Sequence, residues 1–98
     1  MKLNSLIVKI SNEQYNLPCE FVYLKVYLED ETTGIFSSYI NGEHHLFDNA
    51  SSFMDAVLKC LGTANAVIND LTLNGETAGD LLNNKLVLLG YAFNELKG

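Results

Sequence analysis

Between residues 21 and 29 two kinds of side chain alternate without interruption: Val22, Leu24, Val26 and Leu28 fall on one side, Phe21, Tyr23, Lys25, Tyr27 and Glu29 on the other. A period of two is that of a β-strand, whose successive side chains point to opposite faces of a sheet. The acidic run Glu29, Asp30, Glu31, followed by Thr32, Thr33 and Gly34, reads as a hairpin loop, with Gly34 free to take a positive φ. Residues 35–40 return as a second strand. Asn41-Gly42 follows at once, and this dipeptide between short strand-like runs is the strongest local hairpin signal, because a type I′ turn needs φ > 0 at both central residues. Residues 43–47 then make the third strand of a meander. With a short bulged loop at Gly34, Tyr27 comes near Tyr39, and the two-residue turn sets Tyr39 opposite His44. That register gathers Tyr23, Lys25, Tyr27, Glu29, Tyr39 and His44 on one face. Val22, Leu24, Val26, Leu28, Phe36, Ile40 and Phe47 gather on the other, against the helices.

The period changes after Asp48. Phe53, Val57, Cys60 and Leu61 fall on one helical face, Ser52 with Asp55 resembles a capping box, and Gly62 is placed to end the helix. Residues 64–73 carry two patterns at once. Thr63 is placed to cap a short helix in which Ala64, Val67, Ile68 and Leu71 keep the 3.6 period up to Asn74-Gly75, whereas the β-branched Val67, Ile68 and Thr72 suit a strand. Thr77 with Asp80 forms a capping box for a last helix, along which Leu82, Leu86, Leu89, Phe93 and Leu96 recur at spacings of four and three. Leu81, Leu88 and Ala92 widen this stripe to nearly half the circumference, so the helix is either central to the core or the seat of a homodimer. At the start of the chain, residues 6–10 read as an edge or flanking strand, and Pro18 breaks the chain before the long strand. The expected fold is α+β: an antiparallel β-meander of three to four strands, packed on one face by two to three C-terminal helices, in one domain over residues 1–98. Asn-Gly-Glu occurs at Asn41 and again at Asn74, which does not amount to a repeat.

Charge narrows the picture. The 98 residues contain no arginine, and twelve acidic side chains against six lysines give a net charge of -6. Without the guanidinium fork, and with Lys2, Lys9, Lys25, Lys59, Lys85 and Lys97 scattered, the chain is poorly equipped to grip phosphates, so direct nucleic-acid and anionic-membrane partners are not expected. The short apolar run near the start is interrupted by Lys9, and no run approaches the roughly 20 apolar residues of a membrane span. Two cysteines without a secretory signal imply a reducing compartment, hence a cytoplasmic location. Abundant Asn and Ile/Leu, with Lys to the exclusion of Arg, fit an AT-rich coding genome such as that of a low-GC bacterium or its phages.

No candidate chemistry stands out. His44 and His45 are adjacent on a strand and point to opposite faces, so they cannot share one ion, and no Cys-x-x-Cys or His-Glu-x-x-His accompanies them; neither metal nor cofactor is expected. Cys60 lies on an apolar helical stripe and reads as core, while Cys19, after Pro18, is expected to be more exposed. Ser37-Ser38 and Ser51-Ser52 lack the context of a nucleophile elbow, and no glycine-rich phosphate loop is present. Without a nucleophile–base pair the chain is not expected to be an enzyme. The acidic tip Glu29, Asp30, Glu31 can face a basic partner, although its carboxylates are too sparse for a nucleic-acid mimic and equally suit a solvated loop. The most informative constellation is aromatic: Tyr23, Tyr27 and Tyr39, with His44 beside them and the acidic tip at one end, form a protein-binding face, or else merely pair across strands.

The expected function is that of a non-catalytic protein-binding domain, a small acidic inhibitor or antagonist that blocks a larger protein or nuclease complex by occlusion. Alternatives are an immunity or antitoxin-like protein neutralising a basic toxin, and a self-assembling structural or accessory protein. The order of strand, hairpin and helix resembles in outline several small phage-encoded inhibitors, some anti-CRISPR proteins among them. That resemblance lies in topology and size, and it transfers no residue.

Overall fold

Both Asn-Gly dipeptides turn the chain through hairpins. Asn41 and Gly42 take φ of 52° and 79°, Asn74 and Gly75 take 52° and 82°, the left-handed pair a type I′ turn demands. The computed structural model describes residues 2–15, 18–78 and 82–98. Its strands are β1 (Ser5–Ser11), β2 (Cys19–Tyr27), β3 (Thr32–Ile40), β4 (Glu43–Phe47), β5 (Val67–Leu73) and β6 (Glu76–Thr77), with helix α1 (Ala50–Leu61) after β4 and helix α2 (Leu82–Lys97) at the end. All pair antiparallel in one sheet of order β4-β3-β2-β1-β5-β6. The class is α+β as expected. The sheet is larger than the expected three to four strands, because residues 64–73 are not a helix and because the second Asn-Gly opens another hairpin rather than stopping a helix.

The ambiguity of residues 64–73 has a physical cause. β5 pairs with β1 through Lys9↔Asp70 and Ile10↔Ile68, so Asn69 is an extra, unpaired residue, a β-bulge. The bulge lets Ile68 and Leu71, three apart, both enter the core, with Leu73 following at the ordinary spacing of two. A spacing of three inside a strand imitates a helix. β5 in turn makes β1 a central strand instead of the expected edge, with Leu6, Val8 and Ile10 wholly buried between two neighbours.

Both helices pack on one face. α1 is capped by Asn49, whose Oδ1 accepts from the Ser52 amide at 2.9 Å, so the cap lies three residues before the expected Ser52 box. Gly62 closes it through its amide to the Leu58 carbonyl at 2.8 Å. Of the expected capping box for the last helix, Thr77 belongs to β6, and Asp80 lies outside the described residues, as does Leu81. α2 buries Leu89, Ala92 and Phe93, while Leu86 stands half exposed. Lys85 Nζ donates to the Ile68 carbonyl at 3.5 Å, tying α2 to β5.

The core is centred on Phe53 of α1, whose ring meets Phe36 at 5.2 Å, Phe47 at 5.8 Å and Phe21 at 6.3 Å, the last two edge-on. Edge-to-face and tilted contacts of this kind add to the area effect, which for a fully buried aromatic is itself roughly 1.5–3 kcal/mol. Around it lie Cys19, Tyr23, Met54, Val57 and Cys60. Cys19, expected to be exposed, is wholly buried at the start of β2, opposite Ile10.

Candidate interaction surface

The hairpin between β2 and β3 decides which side of the sheet faces the helices. Its turn is the two-residue Glu29-Asp30, closed by reciprocal backbone bonds between Leu28 and Glu31 at 2.7 and 3.3 Å, and not a bulged loop at Gly34. Tyr27 therefore pairs with Thr32, Tyr23 with Phe36 and Glu20 with Tyr39. Against the expected register this is an odd-numbered shift, and since side chains alternate, such a shift exchanges the faces of β2. Cys19, Phe21 and Tyr23 turn toward the helices with Phe36, Ile40 and Phe47. The aliphatic row Val22, Leu24, Val26 and Leu28, expected in the core, turns away from it.

Gly34 lies inside β3 for a different reason from the expected turn. A Cβ there would sit 2.7 Å from Cε2 of Tyr23, so the missing side chain makes room for the tyrosine ring. Tyr23 is 7% exposed and stacks on Phe36 at 5.0 Å; burial, with Tyr27 nearby, raises its hydroxyl pKa. It is a core residue and offers no surface to a partner. Tyr27 is exposed but lies on the Tyr23 side of β2, where its hydroxyl donates to Asn4 Oδ1 at 2.8 Å and Lys25 Nζ stands 5.9 Å from its ring. It is not near Tyr39. The single tyrosine face expected from the sequence is thus not formed: Tyr39 and His44 alone meet as expected, on the opposite side of the sheet, with ring centroids 4.8 Å apart.

No described element covers that opposite side. Reading across it from β5 to β4, Asp70, Lys9, Glu20, Tyr39 and His44 form one continuous polar and aromatic row, with Lys9 Nζ 3.9 Å from the Glu20 carboxylate. The next row is Thr72, Ile7, Val22, Ser37 and Leu46, and the one after it Ser5, Leu24 and Ile35. Leu46 is 70% exposed, Leu24 50% and Ile35 45%. Leu28 extends the aliphatic surface to the hairpin, where Glu29, Asp30 and Glu31 are all exposed. The result is an aliphatic field bounded by a charged row at one end and an acidic tip at the other. A contiguous exposed apolar patch with a polar rim is the usual mark of an interaction site.

Of the expected surface residues, Tyr39, His44, Glu29, Asp30 and Glu31 border this field. Ile7, Val22, Leu24, Ile35 and Leu46 were missed. The signal for them is present in the alternation itself: a strand apolar in both its odd and its even positions needs cover on both faces, and helices on one face supply only half.

The remaining candidates are inert or isolated. His44 and His45 point to opposite faces as expected, and His45 Nε2 lies 3.7 Å from a Glu43 carboxylate oxygen. Among the described residues no group of three or more His, Cys, Asp or Glu is placed to hold a metal. The Cys19 and Cys60 thiols are neighbours in the core, and Asn12 Nδ2 donates to the Cys60 carbonyl at 3.0 Å and to its Sγ at 3.3 Å. Burial, then the neighbouring Cys19, pushes the Cys60 thiol up to about 12, which keeps it protonated and unreactive near neutrality. No helix among the described residues is long and apolar enough to cross a membrane. Comparison with protein-family models, with curated proteins and with solved structures finds no match.

Proposed function

We propose that this chain is a non-catalytic protein-binding module, a small acidic inhibitor or antagonist that acts in the cytoplasm by laying the open face of its sheet on a larger protein. The observation that carries the reading is the uncovered aliphatic field of Leu24, Ile35 and Leu46 beside the Tyr39-His44 pair. Apolar area removed from water supplies the affinity, roughly 25 cal/mol per Å² before the costs of association. Glu29, Asp30 and Glu31 at the rim favour a partner whose own rim is basic, and a net charge of -6 speeds encounter with it. Occlusion needs no reacting group, in keeping with the protonated thiols.

The test is capture of a partner from a low-GC bacterial lysate by wild-type protein and by a Leu24→Thr/Ile35→Thr double variant, which keeps strand-forming residues and net charge. One stoichiometric partner retained by the wild type, lost by the double variant and released by salt supports the reading. Equal retention by both proteins refutes it.

A second reading, self-assembly, is favoured by Leu86, Val87 and Tyr91, which stand about half exposed on α2. Sedimentation of the purified protein separates the two. A dimer lost in Val87→Thr/Tyr91→Thr assigns α2 to oligomerisation, whereas a monomer leaves the sheet face as the working surface.

A further inference from the structure

On the helix side of the sheet, opposite the open face, a cavity of about 400 Å³ opens between the β3–β4 hairpin and α1. Its size falls within the roughly 300–1,000 Å³ of small-molecule sites. The apolar wall includes Phe21, Ile40, Leu46 and Phe47, and the polar groups include those of Tyr15, Ser38, His45 and Lys59. Two observations point to a ligand. The first is Ser38: the residue is fully buried at the cavity floor, yet its Oγ has no hydrogen-bond partner. A buried hydroxyl left unpaired costs about 1–3 kcal/mol, and such groups call for an explanation. The neighbours across the sheet, Phe21 and His45, line the same cavity, so the hydroxyl stands on the cavity side of β3.

The second is charge. In a chain of twelve acidic residues and six lysines, the cavity is lined by one lysine and by no carboxylate. Lys59 makes no salt bridge among the described residues. Outside the lining, a Glu43 carboxylate oxygen lies 3.7 Å from His45 Nε2.

We propose that this cavity binds a small organic carboxylate with an apolar body and a second polar atom. The body lies against Phe21, Ile40 and Phe47, the carboxylate pairs with the Lys59 ammonium at the mouth, and the second polar atom bonds Ser38 Oγ at the floor. The site opens on the other side of the sheet from the aliphatic field and shares with it only the edge residue Leu46.

Three probes test it: 4-hydroxybenzoate, which has all three features; 4-hydroxybenzyl alcohol, which lacks the carboxylate; and benzoate, which lacks the second polar atom. Binding is read from amide chemical shifts of the ¹⁵N-labelled protein in millimolar titrations. Saturable shifts concentrated at Ser38, Ile40, Phe47, Ala56 and Lys59, largest in affinity for 4-hydroxybenzoate, are the expected result. Lys59→Gln weakens 4-hydroxybenzoate about fivefold and leaves the alcohol unchanged, in line with an exposed ion pair. Ser38→Ala removes the unpaired hydroxyl, so it folds with equal or higher Tm while 4-hydroxybenzoate falls to the affinity of benzoate. An absence of saturable shifts, equal affinity for the alcohol and the carboxylate, or shifts centred on Leu24 and Ile35 overturns the proposal.

Discussion

Gly34 and Tyr23 show how one side chain sets the identity of another. The Tyr23 ring occupies the space of a Gly34 Cβ, so Gly34→Ala forces either the ring or the strand to move. Overpacking of this kind costs about 1–3 kcal/mol, which urea denaturation will register, and Tyr23→Leu introduced with it should restore most of the loss. A loss from Gly34→Ala that persists in full with Tyr23→Leu would show that the ring is not its cause. Cys60 makes a second prediction at this scale. Its thiol, ordinarily near 9.0, is raised to about 12 in the folded protein, first by burial and then by Cys19. Below pH 9 the folded and unfolded chains both hold the proton; between 9 and 12 the unfolded chain releases it while the folded one does not, so stability falls across that window. Cys19, Tyr15 and Tyr23 are shifted the same way. Stability measured by urea at pH 8 and at pH 10 should drop, and Cys60→Ala should flatten the drop; an identical slope in the variant would exclude the thiol as a source. The burial of Cys60 was legible from its helical stripe, but that of Cys19 was not, because it depends on pairing with β1 and on Cys60 of α1, some forty residues away.

The two Asn-Gly turns are alike in backbone and unlike in load. Asn41 is exposed at the tip of the β3–β4 hairpin, whereas the Asn74 side chain accepts from the amides of Asn4 at 2.6 Å and Ser5 at 3.1 Å and donates to the Lys2 carbonyl at 2.8 Å. Asn74 thereby fastens the entry of β1 to the far hairpin. Asn41→Ala should cost about 1 kcal/mol through the left-handed backbone alone, and Asn74→Ala roughly 2–3 kcal/mol because the side-chain bonds go as well. Equal losses in thermal or urea melts would mean that the Asn74 clamp contributes nothing. Turn chemistry was legible at Asn41-Gly42, where strand patterns flank the dipeptide. At Asn74-Gly75 the same dipeptide was masked by the Asn69 bulge, which gave the strand before it a helical spacing. The β2–β3 hairpin misled for the opposite reason: the glycine that attracts a turn is in mid-strand, and the turn itself uses Glu29-Asp30 without a positive φ.

At the scale of the molecule, charge and the open face oppose each other. A net charge of -6 keeps copies apart at neutral pH, but near the isoelectric point of about 4.6 that repulsion vanishes while the aliphatic field remains. Light scattering should show association as pH falls toward that point, reduced in Leu24→Thr/Ile35→Thr, which alters no charge; an unchanged onset in the variant would place the contact elsewhere. The α+β class and the alternation in β2 were legible in the sequence, because both follow from local periodicity. Which face of β2 meets the helices was not, because it turns on one hairpin's residue count, and with it went the composition of the exposed surface. The placement of β1 carries a consequence for biosynthesis. Leu6, Val8 and Ile10 are translated well before Ile68, Leu71 and Leu73, so the β2 side of their strand is closed early while the other side waits for β5. Until β5 leaves the ribosome, the strand that carries these three wholly buried residues presents a bare edge to its surroundings, and a transcript cut short before residue 67 would yield a product that can never close it.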